Sequence, residues 1–93
     1  MRKQRIARRY VVRGHVQGVG YRYFATHMAS RIGVTGYVRN LDDGNVEVYA
    51  AGTPEQLAEL AAALHRGPRW ADVRGVEEQE AAVQQYASFE IKH

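Results

Sequence analysis

Val34-Thr35-Gly36-Tyr37-Val38-Arg39-Asn40-Leu41-Asp42-Asp43-Gly44-Asn45-Val46-Glu47-Val48-Tyr49-Ala50-Ala51 contains two runs rich in β-branched and aromatic residues with a turn between them. Val34 to Asn40 reads as one strand and Asn45 to Ala51 as the next, the latter with Val46 and Val48 alternating with Glu47 and Tyr49. Asp42-Asp43-Gly44 is the turn signal, because Asp-Gly tolerates positive φ. A hairpin in the middle of the chain is the element around which the rest must be arranged.

On its C-terminal side the hairpin runs into Thr53-Pro54-Glu55-Gln56, a helix start with Thr53 as N-cap, Pro54 at the first helical position and Gln56 completing a capping box. Leu57, Leu60, Ala61 and Leu64 follow at i, i+3, i+4 and i+7, and His65-Arg66-Gly67-Pro68 closes the helix with cations and breakers. On the N-terminal side, Arg22 to Ile32 carries Phe24, Met28 and Ile32 at a spacing of four with Ala25 and Ala29 beside them, and Gly33 sits where a helix would end. Further out, Ile6 to Arg13 reads as a first strand, Ala71 to Glu78 as a fourth and Tyr86 to Ile91 as a short fifth with Ala87, Phe89 and Ile91 facing inward.

The resulting order, strand, helix, strand, strand, helix, strand, predicts an α+β fold. It is a ferredoxin-like βαββαβ sandwich, with two helices on one face of an antiparallel sheet and a short extra C-terminal strand. In that arrangement strands one and two point the same way with strand three between them, so their C-terminal ends lie on one edge of the sheet roughly 10 Å apart. The loop His15 to Tyr21 and the strand end at Asn40 then flank a space suited to a phosphate-sized group.

Ninety-three residues allow one domain with one modest core, and an apolar fraction of 45% with 25% charged residues is that of a globular protein with no membrane-spanning run. The net charge of +3 is unevenly placed: Arg2, Lys3, Arg5, Arg8 and Arg9 fall in the first nine residues, and the remaining eight basic residues face ten acidic ones. Residues 1–7 are therefore read as a basic arm and 8–93 as the domain. The arm lacks the apolar stretch of a secretion signal, so a cytoplasmic protein is expected. With no cysteine there is no thiolate nucleophile, disulfide or thiolate metal site. His15, His27, His65 and His93 have no metal-ligand spacing, and no metal or cofactor is expected. The serines and threonines lie in no nucleophile elbow.

Chemistry concentrates in Gly14-His15-Val16-Gln17-Gly18-Val19-Gly20-Tyr21-Arg22, which joins a strand to a helix N-terminus, where free N–H groups and the helix dipole favour an anion. Gly18 and Gly20 allow successive N–H groups to converge on it, and Arg22 in the first turn presents a planar fork for two phosphate oxygens. The Walker pattern is absent, since no Lys-Ser/Thr pair is present here, and so is the dinucleotide fingerprint, whose third glycine is replaced by Tyr23. A glycine loop alone also serves as a tight turn, so the element order and the place of Asn40 carry the functional reading.

These residues resemble the acylphosphatase family. Val12 to Arg22 is similar to that family's first signature, with Tyr21 where Phe is usual; Gly36-Tyr37-Val38-Arg39-Asn40 resembles the second, and Asp43-Gly44-Asn45-Val46-Glu47-Val48 follows at the family's spacing. The resemblance implies that Arg22 and the backbone N–H groups of Gln17, Gly18, Val19, Gly20 and Tyr21 bind the phosphoryl group. It also implies that Asn40 orients the attacking water and that the reaction is metal-independent hydrolysis of a small-molecule acyl phosphate. Leu41 stands where some members have Thr, which bears on rate more than on identity.

Among the other aromatic and charged residues, Tyr10, Phe24, Trp70 and Phe89 are expected in the core, and Arg39 on the strand face opposite Asn40. A competing reading is a nucleic-acid-binding module, since RNA-recognition motifs share this element order, but those stack bases on aromatics in a basic third strand. Asn45 to Ala51 has one aromatic and no Lys or Arg. A phosphate-binding module without turnover differs from the enzyme only through Asn40. No nucleic-acid or membrane partner is expected, and a monomer is the default.

Overall fold

The computed structural model describes residues 4–93. Its elements are β1 (Ile6–His15), α1 (Tyr21–Ile32), β2 (Thr35–Asn40), β3 (Val46–Gly52), α2 (Pro54–Arg66), β4 (Asp72–Ala81) and β5 (Phe89–Ile91). The sheet order is β4-β1-β3-β2-β5, antiparallel throughout except for the parallel pair β2 and β5. This is the expected ferredoxin-like arrangement, and β3 lies between β1 and β2 as the hairpin reading requires.

Residues paired across antiparallel strands point to the same face. Tyr10, Val12, Val38, Val46, Val48 and Ala50 are all fully buried on the helix side, where they meet Ala25 and Ala29 of α1 and Leu57, Leu60 and Leu64 of α2. The helix α2 starts as its sequence dictates: the Gln56 N–H donates to Thr53 Oγ1, and the Thr53 N–H donates back to Gln56 Oε1. Its buried stripe is Leu57, Leu60, Ala63 and Leu64.

The other helix departs from expectation. The stripe α1 buries is Tyr21, Ala25 and Ala29, while Phe24 and Ile32 pack at the margin of the core and Met28 is only half-buried. Small residues at the centre let α1 lie close to the sheet, which moves the large side chains to its flank. Trp70 is a second departure: it is 74% exposed, with Arg69 over its ring at 5.5 Å, because the turn after Pro68 carries it outward instead of into the core. The fifth strand is shorter than expected. Tyr86 and Ala87 precede it, Ala87 is exposed, and Tyr86 packs on the open face of the sheet against Tyr37 and Tyr49.

That open face has a small core of its own, Ala7, Tyr49 and Ala51, over which the segment after β4 is tied by Tyr49: its hydroxyl donates to Ala82 O and accepts from the Gln84 N–H. Beside it sits Glu47, only 2% exposed, paired with both Arg9 and Arg39. Register explains the triad: Arg39 is directly opposite Glu47, and Arg9 is diagonal to it. Burial opposes the ionisation of Glu47, but the two guanidinium groups outweigh it and hold the carboxyl below the usual carboxylate range. A carboxyl depressed in the folded state contributes stability that is present above its unfolded value near 4.3 and is lost as pH falls through the folded one. Acid melts below pH 4 are therefore expected to show a loss of stability that Glu47→Gln removes. At neutral pH that substitution should destabilise by about 1–3 kcal/mol in denaturant melts through loss of the charge-assisted bonds to Arg9 and Arg39, a loss limited by the part-exposed arginines re-entering water.

The N-terminal cations divide. Arg2 and Lys3 lie outside the described residues; Arg5 donates to Thr35 Oγ1, and Arg8 and Arg9 are β1 residues paired with Glu78 and Glu47. β1 begins at Ile6, opposite Gly52, so the strand starts within the segment read as an arm. At the far edge of the sheet, β4 presents the exposed run Glu77-Glu78-Gln79-Glu80.

Candidate active site

One end of the sandwich gathers the C-terminal ends of β1 and β2, the N-terminus of α1 and the C-terminal end of β5, as the strand directions require. A pocket of about 260 Å3 opens there, lined by Val16, Gly18, Gly20, Tyr21, Arg22, Tyr23 and Asn40. Asn40 reaches it because it pairs with Val46, whose neighbour on β1 is Val12, so it continues the helix-side row of the sheet to its end. Arg39, one residue back, is on the other face with Glu47, as the alternation predicts.

The loop is built around Gly18 at φ 73° and Gly20 at φ 81°, with Gly20 as the N-cap of α1. A Cβ at either position would meet nothing within 4 Å, so the left-handed backbone and not lack of space asks for glycine. The two helix starts differ in kind. Where α2 has a capping box and Glu55 in its first turn, α1 has no side-chain cap and no acidic residue there. Its first backbone hydrogen bond runs from the Phe24 N–H to Gly20 O, and among the described residues the N–H groups of Gln17 to Arg22 meet no acceptor. Gly18, Gly20, Tyr21 and Arg22, whose N–H groups are among these free donors, line one pocket at an uncompensated positive helix end. Arg22 makes no ion pair among the described residues; its Nη1 lies 3.5 Å from His93 Nδ1.

Of the loop residues named from the sequence, Gly18, Gly20 and Tyr21 line the pocket, whereas Gln17 and Val19 do not. Val19 packs against the core. The Gln17 side chain braces the loop by donating from Nε2 to both Leu41 O and Asn45 O at 2.8 Å. The Leu41 N–H in turn donates to Asn45 O, so one amide group ties the loop to the turn that follows Asn40 and fixes the spacing across the pocket. Tyr21 anchors the other side: its buried hydroxyl donates to Leu64 O at 2.8 Å, linking the first turn of α1 to α2. Burial pushes that hydroxyl's pKa up, as expected of a neutral donor. Tyr21→Phe should leave Leu64 O without this donor and lower stability by about 1–2 kcal/mol, read from chemical denaturation.

Two lining residues were not singled out from the sequence. Val16 is buried and closes the pocket floor, a position that its apolar character after Gly14-His15 could have suggested. Tyr23 is 75% exposed at the rim, and nothing in the periodicity of α1 distinguishes it from a solvent-facing residue. Among the described residues, no group of three or more His, Cys, Asp or Glu side chains is placed to hold a metal ion, and no helix is long and apolar enough to cross a membrane.

Comparison with known proteins gives the same result by sequence and by structure. The acylphosphatase family model matches residues 8–91. An acylphosphatase of Solibacter usitatus is 66% identical over 86 residues, covering 92% of this chain and 90% of its own. One from Archaeoglobus fulgidus is 46% identical over 88 residues, covering 95% and 99%. The solved structure of an acylphosphatase from Coxiella burnetii superposes with a TM-score of 0.93 at 32% identity, over 99% of each chain. With a strand-loop-helix pocket on this fold and similarity over nearly its whole length, the chain belongs to the acylphosphatase family.

Proposed function

We propose that the hydrolysis of acyl phosphates proceeds here by direct attack of a water oriented by Asn40 on a phosphoryl group held by Arg22 and the backbone N–H groups from Gln17 to Tyr21. The observation that carries this reading is the single pocket shared by Arg22, the uncapped start of α1 and Asn40. The water oxygen forms a bond to phosphorus as the bond to the acyl oxygen breaks, the electron pair leaves on the carboxylate, and the water's protons stay on the inorganic phosphate formed or pass from it to solvent. The conjugate acid of that leaving group has a pKa near 4, so no general acid is required at neutral pH. What the protein supplies is positioning and stabilisation of charge on the phosphoryl oxygens. Asn40 offers an amide oxygen to accept from the water and is free to do so, being exposed and in no side-chain hydrogen bond among the described residues.

The reading includes a monomeric, cytoplasmic enzyme that needs no metal and whose working groups all lie within residues 8–93. Against nucleic-acid binding, the aromatic faces of the open sheet are already occupied: Tyr37 stacks on Tyr49, Tyr86 tilts against both, and the Lys92 ammonium sits 4.2 Å from the Tyr37 ring centre. The Arg9 and Arg39 charges there are paired with Glu47. The test is phosphate release from acetyl phosphate with and without a chelator. Chelator-resistant turnover supports the reading. A folded protein that binds inorganic phosphate without turnover is instead the phosphate-binding module.

A further inference from the structure

The pocket is small. At about 260 Å3 it lies just below the roughly 300–1,000 Å3 of pockets that engulf drug-sized ligands. A phosphoryl group and its attacking water fit within it beside Arg22 and the loop, and the acyl group, bonded to phosphorus on the side away from the water, extends from them toward the rim. Of the side chains that form the lining, Val16 and Tyr21 are buried and Arg22 and Asn40 are polar. Tyr23 is the one large apolar surface there that faces solvent, at 75% exposure. Among the described residues it makes no hydrogen bond and joins no aromatic or cation pair, although Tyr21 and Phe24 on either side pack together with ring centres 5.8 Å apart. Its ring contributes nothing to the core, and it stands next in the chain to Arg22.

We infer that Tyr23 is the specificity-determining residue for the acyl side of the substrate, its ring forming a platform for acyl phosphates with a flat or extended apolar acyl group. This rests on the hydrolase reading above. Contact between two apolar faces removes both from water, and an aromatic pair adds a geometric preference. A small acyl group such as acetyl does not reach far enough from the phosphoryl pocket to gain from it. The enzyme should therefore favour an aromatic acyl phosphate over a small one, and the preference should depend on the ring and not on the phenolic hydroxyl.

The experiment compares kcat/KM for benzoyl phosphate and acetyl phosphate in the wild type, Tyr23→Ala, Tyr23→Phe and Trp70→Ala. Trp70 is the control for loss of an exposed aromatic, since it has almost the same exposure and is absent from the pocket lining. Tyr23→Ala is expected to lower the benzoyl-to-acetyl ratio by roughly 3- to 10-fold, while Tyr23→Phe retains it and Trp70→Ala leaves it unchanged. A fall in both substrates in equal proportion would mean that Tyr23 serves the shape of the pocket, and would overturn the inference. So would a Trp70→Ala ratio as low as that of Tyr23→Ala, or a wild type indifferent to the acyl group. Wild-type protein inactive on both substrates would instead remove the hydrolase reading on which the inference stands.

Discussion

Arg22→Ala is expected to lower kcat/KM for any acyl phosphate by at least about 100- to 1,000-fold, the range seen when one preorganised donor to a developing oxyanion is removed. The expectation starts from position. Arg22 is in the first turn of a helix whose start is left uncapped, and it lines the pocket without an ion pair among the described residues, so its charge is not committed to holding the fold. Removing it should leave the melting temperature nearly unchanged and weaken inhibition by inorganic phosphate together with turnover. Arg22→Lys is expected to fall between, because an ammonium restores charge but not the two-pronged geometry. A loss below tenfold in a folded Arg22→Ala protein would show that the loop N–H groups and helix end hold the phosphoryl group unaided.

Asn40→Ala should separate the two properties that Arg22→Ala loses together. Turnover is expected to fall by about 100- to 1,000-fold, again the scale of one well-placed polar partner, while the affinity for inorganic phosphate largely survives. The reason lies in the register: Asn40 lines the pocket from the end of β2, across from the loop, and on the proposed reading it meets the attacking water there without holding the phosphoryl group. Steady-state kinetics with phosphate as inhibitor checks both numbers on one preparation. Equal losses of kcat and phosphate affinity would falsify the water-positioning role and make Asn40 a second ligand of the phosphoryl group.

What could be read from the chain before its structure divides along physical lines. The capping box of α2 was legible because Thr53, Pro54 and Gln56 are neighbours whose chemistry is local, and both predicted side-chain bonds are present. The central hairpin and the site end of the sheet followed from strand order alone. The buried stripe of α1 was not legible, since which of Phe24, Met28 or Ala25 faces inward depends on how closely the helix approaches the sheet. Trp70 is exposed because of a turn whose direction no single residue encodes. Glu47 reads as a solvent-facing residue from its alternation with Val46 and Val48, yet it is buried. Only the cross-strand register that brings Arg9 and Arg39 to it accounts for a carboxylate there. For the site, the residue types were readable in order, whereas the brace from Gln17 to Leu41 and Asn45 and the rim position of Tyr23 required the strands to be assembled.

The two margins of the sheet are also defended against unwanted pairing with other chains, and by different means. A bare strand margin offers a row of N–H and C=O groups to any neighbour. On one side the three-residue β5 covers β2, with the Lys92 N–H just beyond it donating to Val38 O, and is itself too short to template much. On the other, β4 is ten residues long and relies on the charge of Glu77, Glu78 and Glu80. The long margin thus loses its guard when acid neutralises carboxylates, and the short one when the last few residues are trimmed away. Clumping of the native protein at low pH and clumping after proteolytic clipping would begin at opposite sides of the same sheet.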